Sequence, residues 1–199
     1  MPSHSQGCEE KRLVIGIAGR IGAGKTSAAK YLNTKHGFQY LRYSQVLAEW
    51  MAADPESKAE LQSVGWEVMA GGMQTELNRR LIAQVMPGEN AAIDGLRHTI
   101  DHESLSRAFS SSFRLLYIDS GAKQRWNHLN GKGRYTSRDI FDAADSHPVE
   151  QQVESLRAKA SLVLRNGGLL EGLYTAIDHA VPSFREEGRQ VLLSPGRNR

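Results

Sequence analysis

Apolar positions along the chain follow two alternating spacings. Segments rich in apolar residues at 13–18, 38–43, 91–93, 113–118 and 162–164 have the length and composition of short strands inside a sheet. Between them apolar side chains recur at helical intervals. Ala28, Ala29 and Leu32 share one face of a helix that Gly37 ends, and Leu61, Val64 and Val68 mark a helix begun by Pro55 and stopped at Gly71-Gly72. Met73, Leu77, Leu81 and Val85 recur every fourth residue up to Pro87-Gly88. Ser44 is the expected N-cap of a short helix through Met51, and Thr99 or Asp101 that of a helix through Phe109. Further helices are expected over 121–129, after Pro148 on Val149, Val153, Leu156 and Ala160, and on Leu170, Leu173, Tyr174 and Ile177. Strands and helices therefore alternate, the pattern of a three-layer α/β sandwich. Residues 1–11 are polar and aperiodic and read as a disordered leader, 12–182 form one domain, and 183–199 turn polar beyond Pro182 and read as a tail.

One junction carries specific chemistry. Gly19-Arg20-Ile21-Gly22-Ala23-Gly24-Lys25-Thr26 fits G-x-x-x-x-G-K-[ST] and lies between the first apolar run and the first helix. In such a loop, glycines let consecutive backbone N–H groups curl around a polyphosphate, and the following helix adds its positive dipole end. Lys25 is placed to reach the β- and γ-phosphates of ATP, and the Thr26 hydroxyl to hold the accompanying Mg²⁺. Gly19, Gly22, Ala23 and Gly24 supply the backbone of the cradle.

Other candidates depend on that loop for their meaning. Asp94 follows the short run 91–93, at the carboxyl edge of a strand, and is a candidate Mg²⁺-shell carboxylate. Arg97, three residues on, belongs to the same crevice as a phosphate partner. The segment 131–139 joins two glycines to Arg134 and Arg138 without a core-facing pattern, which suits a lid carrying a transition-state arginine. His98 and His102 are four residues apart, but they straddle a helix start and make a poor metal pair.

Composition narrows the classes rather than choosing among them. A net charge of +3 with Lys and Arg interleaved among acids argues against nucleic acid as the main partner and suits a small anionic substrate. Cys8 is the single cysteine, so no internal disulfide forms, which suits a reducing cytoplasm. No apolar run approaches the about 18 residues of a membrane span.

Beyond the phosphate loop, the pieces Tyr43-Ser44-Gln45-Val46-Leu47, Glu60-Leu61-Gln62-Ser63-Val64-Gly65, Ile93-Asp94-Gly95-Leu96-Arg97 and Leu164-Arg165-Asn166-Gly167-Gly168-Leu169 complete a resemblance. Over 12–180 the chain resembles P-loop nucleotide kinases of the dephospho-CoA kinase and nucleoside or deoxynucleoside monophosphate kinase group. The resemblance implies a parallel five-stranded sheet, ATP on the phosphate loop, an acceptor nucleotide opposite and a lid. It places Ser44 and Arg97 toward the acceptor, Asp94 near Mg²⁺, Arg125 and Arg134 on the lid side, and Asn166 and Gly168 beside the donor adenine. Two departures bear on the acceptor: Gln45 stands where relatives often carry an acid, and Asp-Gly-Leu-Arg is one residue shorter than Asp-Gly-x-Pro-Arg. The activity expected is transfer of the ATP γ-phosphoryl group to a small nucleotide, a (deoxy)nucleoside monophosphate first and dephospho-CoA second. A P-loop ATPase switch and a kinase of nucleic-acid ends are the readings from other classes.

Overall fold

A computed structural model describes residues 12–130 and 135–193. Its centre is a parallel sheet of five strands, β1 (Val14–Ala18), β2 (Gln39–Arg42), β3 (Ala91–Leu96), β4 (Phe113–Asp119) and β5 (Leu162–Arg165), in the order β2-β3-β1-β4-β5. Every pairing is parallel, with Val14 opposite Ala91 on one side and Phe113 on the other. Each crossover is therefore helical.

Strand periodicity assigns the side chains to two cores. Val14, Ile93, Leu115 and Tyr117 enter the core beneath α2 (Tyr43–Met51), α3 (Lys58–Ala70), α4 (Gln74–Ala83) and α5 (Thr99–Phe109). Ile15, Ile17, Leu116 and Ile118 enter the opposite core, against α1 (Lys25–His36) and α9 (Leu170–Leu193). The expected stripe Ala28, Ala29 and Leu32 is fully buried there, and removing a side chain such as Leu32 would cost about 2–5 kcal/mol through transfer and cavity terms.

The helical segments depart from the sequence reading in several places. Ser44 is not the cap of α2: the helix starts at Tyr43, two residues earlier than a Ser44 cap implies, and its N-cap is the extended Arg42. Pro55 lies ahead of α3, whose cap is Ser57, with the side chain accepting from the Glu60 N–H. α5 is capped by His98, which accepts from the Ile100 N–H, rather than by Thr99 or Asp101. Between α6 (Ala122–Asn130) and α8 (Pro148–Ser155) stands α7 (Arg138–Asp145), capped by Ser137 and anchored by the buried Phe141. The described part of the expected lid loop thus ends as a helix start, because a single aromatic anchor carries too little periodicity to be read in sequence.

The polar tail is also corrected. α9 runs through Pro182 to Leu193, with Ala180, Val181 and Phe184 buried against the sheet. Proline removes one N–H and crowds the preceding turn, but burial on both sides of it keeps the helix continuous.

Candidate active site

The five strands end at one edge, and every candidate element leaves the sheet from there, as ligand sites in open parallel sheets require. The phosphate loop follows β1. Gly24 opens α1 with φ +106°, and a Cβ at that position would lie 2.7 Å from the Asn166 amide nitrogen. Only glycine combines that dihedral with that approach. α1 has no side-chain cap at Gly24, so its first N–H groups face the loop as donors for an anion.

Lys25 folds back over its own loop. The ammonium donates to the carbonyl oxygens of Gly19 at 2.6 Å and Arg20 at 3.0 Å. With three donors and two used, one remains for a phosphate oxygen. Desolvation lowers its pKa to about 8; nearby Glu150 and Asp94 act against that shift, while Arg97 and Arg125 reinforce it.

The neighbouring Thr26 meets Asp94. Its hydroxyl donates to Asp94 Oδ2 at 2.7 Å, and the Tyr40 hydroxyl donates to the same oxygen at 3.2 Å. Burial and the Asp94 charge raise the Tyr40 pKa, which keeps that phenol a donor. Asp94 is buried within β3, which continues past the expected end at Ile93 through a bulge: Ile17 pairs with Asp94 but Ala18 with Leu96. The skipped Gly95 has φ +97°, the geometry a glycine bulge needs to redirect a strand next to a site. A hydroxyl and a carboxylate side by side are hard oxygen donors, and Mg²⁺ is held by such a minimal set together with phosphates and water. Thr26 and Asp94 fit that ion.

Past β3 the backbone is fixed by a buried carboxylate that the sequence reading took only for a possible cap. Asp101, 1% exposed, accepts from Gln74 Nε2 (2.5 Å), Asn78 Nδ2 (2.9 Å), Arg97 N (3.0 Å) and His98 N (2.9 Å). Tyr43 hydrogen-bonds the Asn78 amide oxygen, which links the start of α2 to the same network. Arg97 is consequently held by its backbone, and its guanidinium pairs with Glu150 of α8. Ser44, at the start of α2, lines a cavity of about 430 Å³ with Arg42, Gln45, Ala48, Glu49 and Glu56.

A second carboxylate, Asp145, gathers the arginines beneath the loop. It takes Arg20 Nε at 3.2 Å and both terminal nitrogens of Arg125, the second at 2.9 Å, while Arg125 also donates to Ile21 O at 3.1 Å and Ser120 O at 3.0 Å. The Arg125 guanidinium, expected at ATP, is thus buried under the phosphate loop and engaged by protein oxygens. Arg138 is half-exposed, pairs with Asp142 at 2.8 Å and lies 5.4 Å over Phe141. Arg134 lies outside the described residues.

After β5, Asn166 donates from its side chain to Ala23 O at 2.9 Å and from its backbone to Asp119 O at 2.7 Å, and its buried Oδ1 has no partner among the described residues. Gly168 O is 3.0 Å from His128 Nε2, whose other nitrogen is 3.3 Å from Gly22 O. His128 therefore joins the two loops that the sequence reading assigned to the donor. His128, Asp145 and Glu150 carried no sequence signal, being ordinary polar residues on amphipathic helices.

A phosphate loop after β1 of a five-stranded parallel sheet, with a Thr–Asp pair beside it, is common to P-loop nucleotide-binding proteins at large; the similarity to a curated kinase over most of the chain narrows it to the P-loop kinases, and this chain is an enzyme of that class. No protein-family model matches it. It is 26% identical to the dephospho-CoA kinase of Deinococcus radiodurans over 206 residues, spanning 90% of this chain and 95% of that protein. It is 29% identical to a UPF0200 protein of Pyrobaculum aerophilum over 126 residues, 61% of this chain and 67% of that one. Among solved structures, the shikimate kinase of Acinetobacter baumannii, determined in complex with shikimate, shares the fold with a TM-score of 0.59 at 15% identity, over 87% of this chain and 95% of that one. The resemblance to the dephospho-CoA kinase group thus extends over most of the chain. Among the described residues, no helix is long and apolar enough to cross a membrane.

Proposed function

We propose that the enzyme transfers the γ-phosphoryl group of ATP to a small nucleotide, with a (deoxy)nucleoside monophosphate as the acceptor the site geometry favours. The observation that carries this choice is the state of the two buried carboxylates at the crevice. Asp94 is held by two hydroxyl donors, and Glu150 by Arg97 and a backbone N–H. Burial opposes ionisation of Glu150, but Arg97, Lys25 and the Ile21 N–H outweigh it and bring its pKa below the usual value. A carboxylate so held is a weak general base. An acceptor phosphate is already ionised and needs none.

In this reading Gly19, Gly22, Ala23, Gly24, Lys25 and Thr26 hold the triphosphate, and the free Lys25 proton meets a β/γ oxygen. Thr26 and Asp94 hold Mg²⁺, which supplies electrostatic neutralisation of the phosphates when bound. Ser44, Arg42 and Arg97 line the acceptor side, where two guanidinium groups suit a phosphate. Asn166 and Gly168 flank the donor base, and Arg138 or Arg134 closes from the lid side. Transfer then proceeds in line, with positive charge arranged around the moving group.

Dephospho-CoA is the second acceptor, favoured by the similarity to the Deinococcus enzyme over almost its full length. Its acceptor atom is a ribose hydroxyl, and such a substrate would ask a carboxylate to leave its present partners. The test is a panel of ribo- and deoxynucleoside monophosphates and dephospho-CoA, each with MgATP, read as ADP formed. Acceptor-dependent ADP with a monophosphate supports the reading. Turnover with dephospho-CoA alone would move the assignment to the second acceptor, and acceptor-independent hydrolysis would remove both.

A further inference from the structure

We propose that Glu150 is a positioning residue that joins the acceptor arginine to the donor loop, so that Arg97 and the phosphate loop are oriented as one unit. The inference rests on the reading of Arg97 as an acceptor contact. Glu150 is in the first turn of α8, the third residue after its cap, His147. Its side chain is 2% exposed, whereas that of Arg97 is 42% exposed. The pair is therefore not a surface salt bridge of negligible worth. A carboxylate taken so fully out of water requires donors on both oxygens. One oxygen is taken by Arg97 Nη1, and the other accepts from the Ile21 N–H at 2.8 Å, inside the phosphate loop.

The consequence lies in what remains free on Arg97. Its backbone N–H is fixed by Asp101 at 3.0 Å and one guanidinium nitrogen by Glu150, so both ends of the side chain are anchored. Arginine carries five side-chain N–H donors, and with the side chain 42% exposed those not spent on Glu150 are open to a ligand. Glu150 thereby does three things at once. It selects one Arg97 rotamer, aims the unspent donors at the acceptor side, and fixes the distance between that fork and Ile21. In-line transfer depends on such a fixed separation between donor and acceptor. Lys25 and Arg97 are the cations facing the Glu150 carboxylate, so one carboxylate offsets part of the positive charge of two cations and leaves the rest for an anionic substrate.

The test compares steady-state kinetics of Glu150→Gln, Arg97→Ala and the double variant, using MgATP with AMP, CMP, GMP, UMP and dephospho-CoA. Gln keeps the size of the side chain but gives Arg97 an amide in place of a charged partner. The proposal predicts that Glu150→Gln raises the acceptor KM on the order of 10-fold, the effect of losing one pre-organised side chain, without raising the ATP KM. In the Arg97→Ala background the same substitution should add nothing to the acceptor KM, because a residue acting through Arg97 has no effect once Arg97 is gone. A merely structural glutamate would weaken both substrates in both backgrounds. If Glu150→Gln does not fold, judged by thermal unfolding, Arg97→Lys replaces it, since a lysine keeps the charge toward Glu150 but lacks the fork and should raise the acceptor KM without raising the ATP KM. An acceptor KM that stays at the parental value or falls in the glutamate variant, while Arg97→Ala raises it, would overturn the role of Glu150. No change in Arg97→Ala itself would overturn the acceptor reading of Arg97, and the proposal with it.

Discussion

Thr26, at the start of α1, donates its hydroxyl to Asp94 of β3 at 2.7 Å, joining residues 68 positions apart in sequence. The contact places the two candidate oxygen ligands for Mg²⁺ together, although the described residues hold no cluster of three or more metal-binding side chains. Its chemistry makes Asp94 the residue through which metal dependence should be read. Asp94→Asn is expected to raise the Mg²⁺ concentration required for half-maximal activity by about 10–100-fold, the usual cost of disturbing a metal ligand or its partner, with activity partly restored at high Mg²⁺. Metal titrations on the two proteins measure it. Superimposable curves would return Asp94 to a structural strand residue.

The pH dependence of ATP binding follows from Lys25. In the empty protein its pKa is lowered to about 8 by desolvation, and a bound triphosphate favours the charged form. Below pH 8 the lysine is already protonated and binding takes up no proton. Above it, binding requires protonation, so the ATP dissociation constant should rise by up to about tenfold per pH unit. Stability of the empty protein moves oppositely: the unfolded lysine, at 10.5, still holds a proton between the two values, so stability rises with pH across that window. Calorimetry in buffers of different ionisation enthalpy would detect the proton uptake. None at pH 9 would contradict the lowered pKa.

Arg125 tests the loop's foundation rather than its chemistry. Arg125→Ala leaves Asp145 facing the weaker partner Arg20 and strips Ile21 O and Ser120 O of a donor. Breaking a buried pair from one side costs about 3–5 kcal/mol, and for a chain of this size each kcal/mol lowers the melting temperature by about 2–4 °C. A melting temperature within a degree or two of the parent would show that the pair carries no stability.

Asp101→Asn is expected to affect the acceptor and not the donor. The substitution keeps one acceptor oxygen but turns an amide N–H₂ toward two of the four donors, which costs about 1–3 kcal/mol for an unsatisfied group and loosens the backbone at Arg97. Acceptor KM should rise while the ATP dissociation constant stays near the parental value. A change confined to ATP binding would separate Asp101 from the acceptor side.

What could be read in the sequence, and what could not, divides by range. The phosphate loop is a local object: its glycines, lysine and threonine are adjacent in the chain, and the flanking strand and helix are set by their own periodicity. Asp94 was legible because strand ends in parallel sheets face ligands. Asp145 and Glu150 owe their roles to partners 20–129 positions distant, and Asp101 joins local backbone donors to Gln74, 27 positions away. Their own helices show only a polar residue near an apolar stripe, which describes most helices. α7 was missed for lack of period, with Phe141 its one buried anchor, and the passage of α9 through Pro182 was missed because tertiary burial of Val181 and Phe184 overrides the local breaker.

The most direct test of the account follows the γ-phosphorus itself. Phosphorus NMR of MgATP with an equimolar nucleoside monophosphate would be recorded with the parental enzyme and with Lys25→Ala. The account predicts that the γ signal disappears as the β signal of a nucleoside diphosphate made from the acceptor grows. In the lysine variant, folded but lacking the fixed charge, the rate should be at least about 10²-fold lower, the scale of losing one electrostatic contact to the transition state. Release of the γ-phosphate as inorganic phosphate at a rate indifferent to the acceptor, or an undiminished rate in folded Lys25→Ala, would contradict it.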